Sequence, residues 1–336
     1  MSDLALEFTL LAVVVAAAGT VLAMTAETIA EATGLGRLVV GSLLLAGATS
    51  LPELTVDISA VRAGAVDIAV GDLFGSSLMN LLILAVVDLA QRSGRPMLSR
   101  EAAAHALPAT LGIALTAFAA MAVLVGGRLP HVSFLGIGGW SWAIVIAYLL
   151  GFRMVFINQR ITARTVADAE PRSTTATPHR HRLPAALAAF AVAALVICVA
   201  GPRLAHAASG IADRTGLGGT FVGTTLVAIT TSLPELVASI VAVRAGAHDL
   251  AIGNVFGSNA FNMVLLAPLD ACHSGSLFAA LSPGHAITAL AGVVATAVAV
   301  LGQLYRVERR LPVCEPDAWL VLATVLGALA LVYRLS

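Results

Sequence analysis

Apolar residues in this chain come in long unbroken runs, not at the alternating or third-and-fourth positions of half-buried strands and helices. Ten runs, near residues 4–26, 38–61, 67–90, 102–125, 132–157, 184–209, 219–243, 249–271, 278–303 and 316–334, approach the roughly 20 residues that a helix needs to cross a hydrocarbon layer. The pattern predicts an all-α integral membrane protein with ten transmembrane helices. Acidic and amide side chains inside the runs fall mainly in the second, third, seventh and eighth: Glu53, Asp57, Asp72, Asn80, Glu235, Asn254, Asn259 and Asn262.

Those four runs form an internal repeat. Residues 49–88 align with 231–270 without a gap at a constant offset of 182, as from Thr49 to Thr231, and over half of the positions are identical. The polar stretch from Asn158 to Arg182 separates five runs from five. Because five is odd, the second copy must cross in the opposite sense to the first, which makes an inverted repeat with its pseudo-twofold axis in the membrane plane. The expected organisation is a first five-helix half at 1–157 with one repeat at about 29–88, a linker at 158–183, and a second half at 184–336 with the other repeat at about 211–270.

Each repeat reads as a helical hairpin. Arg62 stands near a helix C-terminus, Gly64 can take the left-handed position after it, and Asp67 can cap the next helix; Arg244, Gly246 and Asp249 repeat the arrangement. Counted back and forward from the turn at about 1.5 Å per residue, Glu53 and Asn80 lie roughly 16–20 Å deep, near the middle of a bilayer. Glu235 and Asn262 reach the same level from the other side. A carboxylate there costs on the order of 3 kcal/mol or more to insert, and neither hairpin carries a deep arginine. A bound cation is the natural counter-charge, with proton binding as the rival compensation.

Pro52 and Pro234 cannot donate the backbone bond to the fourth preceding carbonyl. They are expected to free carbonyls around Ala46 to Thr49 and Ala228 to Thr231 beside the glutamates. Hydroxyls of Thr49, Ser50, Thr231 and Ser232 add oxygen, the ligand type that hard cations take six to eight of. Gly71 and Gly75, like Gly253 and Gly257, lie four apart on one helical face and let a neighbour approach closely; Ser76 and Asn80, and Ser258 and Asn262, continue those faces.

Composition supports a membrane protein, since 59% of residues are hydrophobic and only 11% charged, against about 25% charged in soluble domains. All basic residues are arginine and the net charge is zero, so nothing points to nucleic acid. With both termini outside, most arginines fall in cytoplasmic loops, as the positive-inside rule requires. The segment 158–183 then reads as a flexible cytoplasmic linker. Asp3 and Glu7 argue against a cleavable signal peptide, and Cys198, Cys272 and Cys314 form no disulfide framework or metal spacing. No cofactor and no obligatory protein partner is expected beyond the lipid bilayer. The compact linker suggests a prokaryotic plasma (inner) membrane.

At Thr49-Ser50-Leu51-Pro52-Glu53 and its copy, and at Gly253-Asn254-Val255-Phe256-Gly257-Ser258-Asn259, the chain resembles the sodium/calcium exchanger family of the cation/calcium antiporters, whose two α-repeats carry these helices. The resemblance implies exchange of Ca2+ against Na+ by alternating access, in the direction of calcium extrusion. It also implies that Glu53 and Glu235 are the shared carboxylate ligands and that Thr49 and Thr231 supply carbonyls. Ser76 and Ser258, with carbonyls near Ala46 and Ala228, would complete flanking sodium sites. Asn80 and Asn262 would line the centre, with Ser50 and Ser232 in the same shell. Potassium-coupled members carry aspartate where this chain has Asn262, which implies potassium independence. Repeat 1 departs from the family pattern, with Asp72 and Ser77 where repeat 2 has Asn254 and Asn259.

Asp57 follows Glu53 by one turn and Asp72 precedes Ser76 by one turn, whereas their counterparts Ser239 and Asn254 are neutral. They are expected either to line an acidic outer vestibule that concentrates cations, or to be neutralised locally. His105 and His285, at nearly matching places in the fourth and ninth runs, suit a hydrogen-bonded structural role more than proton carriage. Two other functions remain open. Paired glutamates could couple calcium to protons on the same fold, or act as an intramembrane hydrolase's acid/base pair, although two near-identical oxygen-rich shells favour a symmetric ion site. A cation sensor is disfavoured because no output domain is visible.

Overall fold

A computed structural model describes residues 2–90, 105–128, 132–169, 182–215, 228–304 and 316–335. Helices account for nearly all of them: α1 (Ser2–Thr33), α2 (Arg37–Thr49), α3 (Leu51–Arg62), α4 (Val66–Ala90), α5 (Ala106–Val125), α6 (Gly139–Ala169), α7 (Leu183–Thr215), α8 (Leu233–Arg244), α9 (His248–Cys272), α10 (Gly284–Leu304) and α11 (Pro316–Leu335). Seven are long and apolar enough to cross a membrane: α1, α4, α5, α6, α7, α9 and α10. The bent pair α2 and α3 makes an eighth if taken as one span, whereas the apolar part of α11, Ala318–Leu331, is shorter. The run predicted at 219–243 lies partly outside the described residues, which resume with a helical turn at 228–231 ahead of α8.

Helix burial follows polar content rather than hydrophobicity. Nine-tenths of the apolar window of α9 (89%) and most of that of α4 (72%) is buried, against 22% for α6 and α7 and 28% for α1. The last three expose leucine and valine, including Leu10, Val13, Leu149, Leu150 and Leu195. In hydrocarbon such faces cost nothing, and backbone polar groups are satisfied within each helix. The two helices richest in glycine, serine and asparagine are thus the innermost.

Two apolar cores form on either side of a polar level. One joins Val70, Leu73 and Phe74 of α4 to Met263, Leu266 and Leu269 of α9, with α5 and the start of α10. The other joins Leu78, Leu81 and Leu84 of α4 to Leu250, Val255 and Phe256 of α9, with α1, α7, α8 and α11. Because α4 and α9 run in opposite order through the two cores, the gap between them falls at residues 75–77 on one helix and 257–259 on the other. Those are the positions of the Gly-Ser steps.

Several sequence expectations need correction. The fifth run does not begin as helix: Ser133–Phe134 and Ile137–Gly138 form an antiparallel hairpin, turned by Leu135 and Gly136 at positive φ (55° and 78°), and α6 starts only at Gly139. Positive φ at two successive central residues gives the tight turn that matches strand twist. At its other end α6 continues to Ala169, so nearly half of the stretch read as a flexible linker, 158–169 of 158–183, is helical; residues 170–181 lie outside the described residues. Gly64 and Gly246 do take the left-handed position expected of them (φ 82° and 79°). Asp67 and Asp249, by contrast, sit in the first turns of α4 and α9 and reach across the fold: Asp67 Oδ1 is 2.8 Å from His285 Nε2, and Asp249 Oδ1 is 2.8 Å from His105 Nε2. Cys198 and Cys272 are free, while Cys314 lies outside the described residues.

The hairpin is tied to the core by Asp270 at the buried end of α9. Its carboxylate accepts hydrogen bonds from Gly138 N and Ser141 Oγ, both at 2.7 Å, and from Leu277 N at 3.2 Å. An Asp270→Ala substitution leaves three donors without an acceptor and is expected to cost about 3 kcal/mol. A fall in the thermal unfolding midpoint of the purified protein measures it; an unchanged midpoint would show the contacts to be dispensable.

Candidate functional site

The site is built on two interrupted helices. Proline at position 52 or 234 cannot continue an α-helical bond pattern, so α2 ends at Thr49, Ser50 leaves helical geometry (φ −85°, ψ 9°), and α3 restarts with Pro52 in its first positions at a bend of 41°. Ser232 breaks the second repeat in the same way (φ −80°, ψ 5°) before α8. Ser50 N still reaches Ala46 O and Ser232 N reaches Ala228 O, both at 3.0 Å, so each break is short and these two carbonyls, expected to be freed by the prolines, stay hydrogen-bonded. Its consequence is electrostatic: a helix C-terminus presents carbonyls and the next helix presents N–H groups at the same depth. Glu53 and Glu235 occupy the first turns of α3 and α8, where the positive end of the helix dipole favours a carboxylate.

Of the side chains expected in the site, Glu53, Glu235, Thr49, Thr231, Ser50, Ser232, Ser76, Ser258, Asn80 and Asn262 are all at most 2% exposed, and Ala46 and Ala228 are buried with them. Contacts join one repeat to the other. Ser50 Oγ donates to Glu235 Oε1 at 3.3 Å, and the Ser76 and Thr231 hydroxyls are 3.5 Å apart. Thr49 Oγ1 faces Asn254 Oδ1 at 3.4 Å, while Thr231 Oγ1 faces Asp72 Oδ1 at 3.3 Å. Asn80 Nδ2 donates to Asn259 Oδ1 at 2.9 Å, and Asn259 Nδ2 to the Ser77 carbonyl at 3.2 Å. Asn262 Nδ2 points at the Leu73 carbonyl at 3.5 Å.

Glycine permits this closeness. A Cβ on Gly253 would stand 2.9 Å from the Leu38 carbonyl oxygen, and one on Gly41 would stand 2.6 Å from that of Leu250. A Cβ on Gly257 would run into the backbone of Ser42. Residues Val40–Leu45 of α2 form a π-helical turn at this contact, a feature frequent at functional sites and without a sequence signature that could have announced it. On the pseudo-equivalent side, a Cβ on Gly75 would stand 3.4 Å from the Ala228 side chain and one on Gly71 would stand 3.4 Å from the His285 ring, both ordinary contacts. The second helix of each repeat thus lies against the first helix of the other.

Unpartnered oxygen marks the interior of the belt. Glu53 Oε2, Glu235 Oε2, Asn80 Oδ1, Asn262 Oδ1, Ser232 Oγ and Ser258 Oγ are buried without a hydrogen-bond partner. Among the described residues, the fully buried polar side chains include no arginine, and no three His, Cys, Asp or Glu side chains converge as a dedicated metal cluster. Two carboxylates amid neutral hydroxyl, amide and carbonyl oxygens suit a transient hard cation better than a resident transition metal. Asn254, Asn259 and Ser77 belong to the same network, beyond the residues that the sequence assigns to the site. Asp57 and Asp72, expected at a vestibule, are each 1% exposed.

An oxygen-lined belt closed inside a bundle of helices with apolar outer faces, with glutamates at its centre, has the donor chemistry of a cation site within a membrane protein. Comparison with known proteins makes the assignment narrower. The profile of the sodium/calcium exchanger protein family matches residues 4–159 and 185–334. Inner membrane protein YrbG of Escherichia coli is 32% identical over 255 residues, covering 74% of each chain. The sodium/calcium exchanger MaX1 of Methanosarcina acetivorans is 29% identical over 269 residues, covering 73% of this chain and 76% of that one. The solved structure of the sodium-calcium exchanger NCX_Mj, soaked with 100 mM Na+ and 10 mM Sr2+, superposes with a TM-score of 0.68 over 98% of this chain and 99% of the other, and at 19% identity the likeness is one of fold. The chain belongs to the sodium/calcium exchanger family.

Proposed function

We propose that the chain exchanges Ca2+ for Na+ across a plasma (inner) membrane by alternating access, exporting calcium as sodium enters. Glu53 and Glu235 are the ligands shared by both ions. Thr49 and Thr231 supply carbonyls, with Ser50 and Ser232 in the same shell; Ser76 and Ser258, with carbonyls near Ala46 and Ala228, complete flanking sodium sites, and Asn80 and Asn262 line the centre. Ten helices cross as two inverted halves, with both termini outside and 158–183 cytoplasmic. The observation that carries this reading is the pair of buried glutamates, each with an oxygen that no protein donor reaches, in a belt without a buried arginine. Burying two such charges without a counter-charge costs several kcal/mol each, and a calcium ion or two sodium ions supply it.

The coupling ion is tested in proteoliposomes. Radiolabelled calcium uptake is expected into vesicles loaded with sodium and not into vesicles loaded with potassium or choline. Uptake that follows an imposed pH step instead would move the coupling to protons and overturn the sodium assignment.

A further inference from the structure

The two repeats differ in charge at a buried contact between a residue one turn from the glutamate and a residue one turn from the Gly-Ser step. In repeat 2 the contact is neutral and closed by hydrogen bonds. Asn254 Nδ2 donates to Ser239 Oγ at 3.3 Å, and Asn254 Oδ1 faces Thr49 Oγ1 at 3.4 Å. At the equivalent positions in repeat 1, 182 residues before Ser239 and Asn254, stand Asp57 and Asp72, and the counterpart of Thr49 is Thr231, 182 residues after it. The geometry is kept: Thr231 Oγ1 lies 3.3 Å from Asp72 Oδ1, and the Asp57 and Asp72 carboxyls face each other directly. The hydrogen-bond supply is not. An ionised aspartate offers no donor in place of the Asn254 amide: apart from a proton that Asp57 and Asp72 could share between their facing carboxyls, both oxygens of Asp57 and Oδ2 of Asp72 are buried without a partner.

Exchanging a serine–asparagine pair for two aspartates adds up to two negative charges in a place with 1% exposure and no buried arginine among the described residues. Packing does not require it, since the other repeat fills the same space with neutral groups. We propose that Asp57, Asp72 and Thr231 form a second, one-sided cation site that takes a hard divalent cation such as calcium, on the ion path between the central belt and the 62–66 turn. This rests on the reading of the central belt as a cation site. The chemistry is that of a hard-cation shell: two carboxylates balance one divalent charge, and a hydroxyl with neighbouring backbone carbonyls adds neutral oxygens. Four residues separate Asp57 from Glu53 and Asp72 from Ser76, so the site lies about 6 Å along the helices from the belt. That is close enough for Asp72 to interact electrostatically with both Glu53 and Glu235. A cation held there would be handed to the belt, or received from it, from one side of the membrane only, so the pathway is asymmetric although its frame is duplicated.

Equilibrium binding of radiolabelled calcium to the purified full-length chain tests this. The informative variant is Asp57→Ser with Asp72→Asn, which writes the repeat 2 contact into repeat 1 and so uses side chains the fold already accommodates; Asp72→Asn alone, which keeps an acceptor for Thr231, is the second. The wild type is expected to bind two equivalents per chain, and the Asp57→Ser, Asp72→Asn variant one. A Glu53→Gln, Glu235→Gln variant is expected to retain one equivalent, which disappears when the two aspartate substitutions are added. Calcium binding in both aspartate variants with wild-type stoichiometry and affinity would overturn the proposal and leave a shared proton as the occupant. Wild-type binding in the glutamine variant would instead overturn the central-site reading, which keeps the two failures distinct.

Discussion

Glutamine in place of Glu53 or of Glu235 is expected to reduce calcium exchange to the level of empty vesicles. The substitution keeps shape and the capacity to accept one hydrogen bond, so the protein should fold, yet it removes one of two carboxylates that balance a divalent cation. A charge-assisted contact is worth about 1.5–3 kcal/mol, which corresponds to roughly ten- to hundredfold weaker binding, and the effect on transport is larger because both ions use the same ligand. The variants should be equivalent, since Glu53 and Glu235 occupy the same place in the two repeats, each in the first turn after a broken helix. Initial rates of calcium uptake check this. Near-normal exchange in either one would remove it from the site.

The second large effect is expected at Gly257. A methyl group there meets not a flexible side chain but the backbone of Ser42, within the π-helical turn of α2. Relief would need α2 and α9 to separate, and with them Thr49 from Asn254. Overpacking of this kind typically costs about 1–3 kcal/mol, and a backbone neighbour puts Gly257→Ala at the upper end. Gly75→Ala is the internal control, because its added methyl would stand 3.4 Å from the Ala228 side chain, an ordinary contact. The thermal unfolding midpoint should fall clearly for Gly257→Ala and little for Gly75→Ala; equal losses would show that the close approach is not what Gly257 provides.

That contrast also shows how far the chain could be read. Both glycine pairs were legible as close-packing faces because their spacing is a property of one helix. Which neighbour each would meet was not, since Ser42 lies 215 positions from Gly257 and the π-helical turn carries no composition of its own. Glu53, Asn80 and their copies were placed at one level by counting residues from a turn, and the turn glycines Gly64 and Gly246 take the positive φ that the count assumed. The same local reasoning misassigned Asp67 and Asp249, whose position near a helix start looked like capping while their partners are histidines more than 140 positions away. It also extended the fifth helix through Ser133–Gly138, where an apolar run hides a two-residue turn. Duplication made the site readable, because a residue pattern that recurs 182 positions later marks the residues that must share one function. Where the copies differ, at Asp57, Asp72 and Ser77, sequence alone registers the difference without showing that Asp72 meets Thr231 of the other repeat or that the Ser77 carbonyl meets Asn259.

The most direct test of the account is to follow radiolabelled sodium and calcium together in the same proteoliposomes. Sodium efflux from loaded vesicles should require external calcium, calcium uptake should stop when the sodium gradient is collapsed, and both fluxes should vanish together in Glu53→Gln and in Glu235→Gln. Sodium efflux that proceeds without external calcium, or calcium uptake that persists without a sodium gradient, would contradict exchange through a shared pair of glutamates.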